Sequence, residues 1–166
     1  MLKKNRSKAL NASPRGAQYA IIASKYNAKY VDSMLKAARE ELAAAGAADI
    51  RVYRVPGAYE VPIAAKTLAA SPAPPAAIIC LGVILRGETV HAAHIGDAVS
   101  RSLMEIQLTH QVPVIHEVLL LENKEQARVR CLSPDHNRGR EAAQTAVAMA
   151  ALMPTLQSAW KLPASA

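Results

Sequence analysis

The sequence predicts a single α/β domain, a three-layer sandwich with helices on both faces of a four-stranded parallel sheet. Three observations lead there. Segments patterned as strands alternate with segments of helical period along the 166 residues, as right-handed parallel crossovers require. Residues 76–85, AAIICLGVIL, are an unbroken apolar run, the mark of a central strand buried on both faces. The chain is 51% apolar yet has no Phe and one Trp, so its core must be built from Ala, Val, Ile and Leu.

The elements follow in order. QYAIIAS (18–24) is β-rich and apolar and reads as the first buried strand. In residues 27–46, Tyr30, Val31, Met34, Leu35, Ala38 and Leu42 recur at helical spacing, with Gly46 as the stop. DIRVYRV (49–55) alternates apolar and charged residues, a second strand. Residues 56–71 turn into a helix that tolerates Pro62 in its first turn. SPAPP (71–75) is a connector, and 76–85 is the third strand. Helical spacing predicts a helix from Thr89 to about His110, a fourth strand over 112–120 and a short helix within 122–131. A last, Ala-rich helix is expected over 136–153, ended by Pro154, with a loose tail after it.

Charge is distributed unevenly. Lys3, Lys4, Arg6, Lys8 and Arg15 supply five of the seven net positive charges, and residues 1–16 hold no acid. That predicts a solvated, mobile basic tail (1–16), a domain over 17–153 and a C-terminal tail over 154–166. The basic segment lacks the apolar core of a secretory signal. No segment reaches the ~18 continuous apolar residues of a membrane span. Cys80 and Cys131 have no metal-ligand spacing and read as reduced thiols of a cytoplasmic protein.

Ligands of open parallel sheets sit beyond the carboxyl ends of the strands, so the residues there are the candidates. They are Tyr26 and Asn27 after the first strand, and Gly57, Ala58, Tyr59 and Glu60 after the second. Val83, Ile84 and Leu85 end the third, followed by Arg86, Gly87, Glu88, Thr89 and His91. Glu122, Asn123, Arg128, Arg130 and Arg138 follow the fourth.

Each has a plain structural use and a chemical one. Tyr26 can cover the core edge or stack on a planar heterocycle. Glu60 can complement a helix start or accept hydrogen bonds from a polyol. RGET places a glycine turn before a helix, whose free N–H groups suit a phosphate. His91 falls in that helix's first turn, where a neutral imidazole can accept a proton. Pairing it with His94 at i, i+3 gives a poor metal motif without the HExxH glutamate, so no metal is expected. Arg130 and Arg138 are either solvated charges or phosphate ligands.

SKYN, VPGAYEVPIAAKTLA, LGVILRGETVH, PVIHEVLLLENKEQARVR and HNRGREAA, in this order over roughly residues 18–152, resemble the 6,7-dimethyl-8-ribityllumazine synthase family. The resemblance implies a flavodoxin-like fold, homo-oligomeric. It implies condensation of 5-amino-6-(D-ribitylamino)uracil with 3,4-dihydroxy-2-butanone 4-phosphate to the lumazine, phosphate and water, with no cofactor and no metal.

By the same resemblance His91 is the catalytic proton shuttle, and Gly87, Glu88, Thr89 and Arg130 bind phosphate. Tyr26, Asn27, Gly57, Ala58, Tyr59, Glu60, Val83, Ile84, Leu85, His116 and Arg138 meet the pyrimidine and its ribityl chain. The family builds pentamers with sites shared between neighbours, some pairing into decamers and some closing into sixty-subunit shells. Neither nucleic acid nor membrane is an expected partner. The chain departs from the pattern at Ala92 and Ala93 after the histidine, at His116 and at Val83. A non-catalytic flavin or lumazine carrier on the same scaffold is the alternative, and retention of His91 with Arg130 favours the enzyme.

Overall fold

The computed structural model describes residues 12–159. Lys3, Lys4, Arg6 and Lys8 of the basic segment, and residues 160–166, lie outside that range. Four strands, β1 (Gln18–Ser24), β2 (Asp49–Val55), β3 (Ala77–Leu85) and β4 (Val114–Leu121), form one sheet in the order β2-β1-β3-β4. Every pairing is parallel. The helices are α1 (Ala28–Ala44), α2 (Val61–Ala69), α3 (His91–His110), α4 (Lys124–Ala127) and α5 (Arg138–Ala159). A 3-10 turn, Ala58–Glu60, precedes α2, and a π turn, Arg128–Leu132, follows α4.

Two cores sit on the two faces of the sheet. Tyr19, Ile21, Ile79, Leu81 and Val83 pack under α1 and α5, and Ile22, Ile78, Cys80 and Val118 pack under α2 and α3. The period-two alternation of strand side chains makes this division. Within β3, Ile78, Ile79 and Leu81 are fully buried, and each contributes about 1.5–3 kcal/mol through removal from water. β2 is the more exposed edge, in keeping with its charged, alternating sequence.

Local chemistry sets the element ends. Gly46 adopts φ 85°, and the bonds from Gly46 N–H to the Ala43 carbonyl and from Ala47 N–H to the Leu42 carbonyl close α1, the pattern of a left-handed glycine stop. Ser13 is tied to the domain, its N–H donating to the Ala45 carbonyl at 2.7 Å and its hydroxyl lying 2.9 Å from the Tyr19 hydroxyl.

The last helix differs from expectation at both ends. It begins at Arg138 and not at residue 136, because Asn137 Oδ1 caps it by accepting from Gly139 N–H at 2.9 Å. It also runs through Pro154 to Ala159. The proline lies on the exposed side of the closing turns, where a lost N–H and a bend are tolerated better than in a packed interior. Near the start of α5 the backbone approaches α1 so closely that a Cβ on Gly139 would lie 2.0 Å from the Met34 carbonyl oxygen.

Candidate functional site

The carboxyl ends of β1, β2 and β3 and the start of α3 enclose a cleft of about 480 Å³. β1 delivers Tyr26 and Asn27 to it. Tyr26 is 73% exposed, so its ring is available for stacking and does not serve the core. Asn27 takes the left-handed conformation, φ 56°, at the entry to α1. Its Nδ2 donates to the Val83 carbonyl at 2.7 Å, tying the β1 and β3 ends together across the floor of the cleft.

The turn after β2 adds Gly57, Ala58, Tyr59 and Glu60. Gly57 N–H donates to Glu60 Oε2 at 2.8 Å. This bond folds the turn and leaves Glu60 Oε1 without a partner among the described residues, free for a ligand hydroxyl. Tyr59 is 64% exposed.

The ends of β3 and the following turn complete the enclosure. Val83, Ile84, Leu85, Gly87, Thr89 and His91 all line the cleft. Arg86 is held away from it: its N–H donates to the Leu121 carbonyl, and its Nε pairs with Glu122 at 2.9 Å. α3 starts with Val90 as its cap residue and no side-chain cap, so its first N–H groups remain open to an anion. His91 is exposed, and its side chain has no hydrogen bond or ion pair with another described residue. Its imidazole can therefore serve a ligand. Ala92 and Ile95 also line the cleft. Ile95 lies one turn beyond His91 on the same helix face, and its i+4 spacing was the signal available in the sequence. Glu88 is exposed on the turn, outside the lining, and His94 is exposed on α3.

His116, Arg130 and Arg138 are not in this cleft. His116 lies on β4, Arg130 in the π turn after α4, and Arg138 at the start of α5. His116 Nε2 lies 2.8 Å from Ser100 Oγ, and its Nδ1 accepts from Val118 N–H at 3.2 Å. Ser100 in turn donates to the Gly96 carbonyl, so the network places the imidazole proton on Nε2. Desolvation holds the His116 pKa below the usual histidine range. Arg138 meets the buried Glu117 through two bonds, at 3.0 and 2.9 Å, and also bonds Glu141. Burial raises the Glu117 pKa, and Arg138 opposes that rise.

Neither cysteine is a nucleophile. Burial pushes the Cys80 thiol far up, and burial followed by the Glu117 charge pushes Cys131 up to about 12. Among the described residues no cluster of three or more His, Cys, Asp or Glu could hold a metal ion, and no helix is long and apolar enough to cross a membrane. A larger hollow, about 610 Å³, lies at the opposite end of the sheet between α3 and α5. Leu108, Val112, Met149, Met153 and Leu156 line it with no titratable group, so it offers no acid–base chemistry.

A family model described as 6,7-dimethyl-8-ribityllumazine synthase matches residues 16–154. The chain belongs to that family. It is 41% identical over 146 residues to the 6,7-dimethyl-8-ribityllumazine synthase of Stenotrophomonas maltophilia (strain R551-3), covering 87% of this chain and 94% of the relative. It is 42% identical over 145 residues to the protein of that name from Xanthomonas euvesicatoria pv. vesicatoria (strain 85-10), covering 86% and 94%. The α/β architecture with its all-parallel four-stranded sheet is the flavodoxin-like one implied by the family resemblance.

Proposed function

We propose that the chain condenses 5-amino-6-(D-ribitylamino)uracil with 3,4-dihydroxy-2-butanone 4-phosphate, giving 6,7-dimethyl-8-ribityllumazine, inorganic phosphate and water. The observation that carries this reading is one cleft holding an open aromatic face, a partly free carboxylate, an uncapped helix start and an unpartnered histidine. These are the features a flat pyrimidine, a ribityl chain, a phosphate and a proton transfer call for.

In this reading Tyr26 stacks on the pyrimidine, and the backbone of Val83, Ile84 and Leu85 meets its edge. Asn27 fixes the floor, and Glu60 Oε1 takes ribityl hydroxyls beside Ala58. Gly87, Glu88 and Thr89 form the turn that presents the first N–H groups of α3 to the phosphate. The pyrimidine amine attacks the ketone carbonyl, and loss of water gives a Schiff base. Removal of a proton next to the imine carbon then expels phosphate. Ring closure by the second nitrogen, with loss of a further water, completes the lumazine. His91 takes and returns the protons, and holding the two substrates in register supplies much of the acceleration. No cofactor enters these steps.

The reading extends to a pentamer. Arg130, in the π turn, and His116, on β4, lie outside the lining of their own chain's cleft, and in a ring they complete a neighbour's cleft. There Arg130 grips the phosphate and His116 approaches the pyrimidine. The reaction is placed in the cytoplasm, where the two buried, unpaired cysteines stay reduced.

Mixing the protein with both substrates and following lumazine fluorescence together with released phosphate tests the function. Stoichiometric lumazine and phosphate, formed faster than in the spontaneous reaction, is the expected result. A rate equal to the spontaneous one refutes it. Sedimentation of the active species tests the ring, and an active monomer contradicts it.

A further inference from the structure

On the free edge of the sheet, one imidazole is held through both of its nitrogens. Ile78 N–H and Arg86 N–H of the β3 side donate to the Pro113 and Leu121 carbonyls, so odd-numbered residues of β4 turn their backbone toward β3. The even-numbered ones, His116 and Val118 among them, turn theirs outward. The His116 side chain shares with Val114 and Val118 the sheet face that packs under α3.

The two nitrogens meet different elements. Nδ1 accepts from the outward Val118 N–H at 3.2 Å, and Nε2 donates to Ser100 Oγ of α3 at 2.8 Å. The serine is committed to accepting, because its own proton goes to the Gly96 carbonyl at 2.8 Å. Hydrogen bonds to ring nitrogens lie near the ring plane, so two of them fix that plane. The outer torsion of a histidine is otherwise broad and two-fold.

This arrangement limits what the ring can do. With both nitrogens engaged, it has no donor or acceptor left for a ligand. A protonated ring has two donors and no acceptor, so it would forfeit the Val118 bond, and the network favours the uncharged form. What stays open at this exposed position is a flat aromatic face, a surface on which a planar heterocycle stacks.

We propose that Ser100 is a positioning residue that locks the plane of the His116 imidazole, so that His116 meets the substrate pyrimidine as a flat uncharged face and not as an acid, base or hydrogen-bonding group. The proposal rests on the reading that His116 reaches the pyrimidine in a neighbour's cleft. Proton transfer is then left to His91, whose ring has no hydrogen bond with another described residue.

The test measures the Kd of the pyrimidine substrate on the assembled protein. Ser100→Ala raises Kd about threefold to tenfold, the weight of one neutral hydrogen bond. In a His116→Phe background, whose ring needs no such bond, Ser100→Ala changes Kd by less than about twofold. Such a double-mutant cycle isolates the pair, and a merely structural role of Ser100 would not depend on the ring opposite. Nitrogen NMR of the wild type, with His116 assigned by its loss in His116→Phe, shows the Nε2–H tautomer.

An unchanged Kd in Ser100→Ala overturns the proposal. So does an equal loss in both backgrounds, or a different tautomer in the wild type. An unchanged Kd in His116→Ala overturns instead the reading that His116 meets the pyrimidine, a separate and recognisable result. Should His116→Phe bind too weakly to measure, Ser100→Thr decides. A Kd within about twofold of wild type, with the hydroxyl kept, supports the proposal, and a loss as large as in Ser100→Ala overturns it.

Discussion

Gly139→Ala tests how the β4 side of the site is held. The added Cβ would lie 2.0 Å from the Met34 carbonyl oxygen and 2.5 Å from its carbon, both backbone atoms of α1. Ordinary contact begins near 3.4 Å, so α1 and α5 must part by more than about 1 Å, in a packed interior that resists such movement. Overpacking of this kind costs about 1–3 kcal/mol. The helix preference of Ala over Gly returns up to about 1 kcal/mol. Because the atoms met are backbone, the cost sits at the upper end, and a net loss of about 2 kcal/mol follows, a fall of about 4–8 °C in Tm for a domain of this size. Urea unfolding at fixed protein concentration measures it. A variant as stable as the wild type would show that the two helices do not meet at Gly139, and the account of how α5 is seated would fall.

Three further outcomes are expected. Glu60→Ala frees the Gly57 N–H and removes the ribityl acceptor, so the KM of the pyrimidine rises about tenfold or more, and an unchanged KM would remove Glu60 from the site. Asn27→Ala replaces a residue that tolerates the left-handed region by one that does not, and breaks the bond to the Val83 carbonyl. It costs about 1–3 kcal/mol in urea unfolding, with Asn27→Gly less harmful on the strain component; equal losses in the two would show that strain plays no part. His116 has its folded pKa lowered from 6.5 by desolvation, so between the folded value and about pH 6.5 the unfolded chain binds the extra proton. Its contribution to stability is complete above about pH 6.5 and is lost as pH falls through the folded value. His116→Asn therefore loses less stability on acidification than the wild type, and parallel pH profiles would refute the assignment.

The strands were legible because their patterns are strong: the unbroken run of β3 and the alternation of β2 each permit one placement. The cleft was legible because the carboxyl ends of a parallel sheet are adjacent in space, so Tyr26, Glu60 and His91 could be grouped without coordinates. The end of α5 was not, since a proline rule cannot tell an exposed turn from a packed one, and Pro154 lies in an exposed turn. The Asn27 bond to Val83, between residues far apart in sequence, leaves no local signal. Nor does the Glu117–Arg138 pair, which depends on which face of β4 meets α5. Arg138 and His116 were grouped with the pyrimidine contacts through the family resemblance; in the folded chain Arg138 bonds Glu117 and His116 lies against Ser100 of α3, both outside the lining of their own chain's cleft.

The central claim is that the cleft at the start of α3 is where protons move during lumazine formation. The most direct measurement is the rate of lumazine and phosphate release by His91→Ala beside the wild type, at saturating concentrations of both substrates. Loss of a positioned acid–base group predicts kcat lower by at least about tenfold, with both KM values within a fewfold of wild type. A variant that turns over as fast as the wild type would contradict the account.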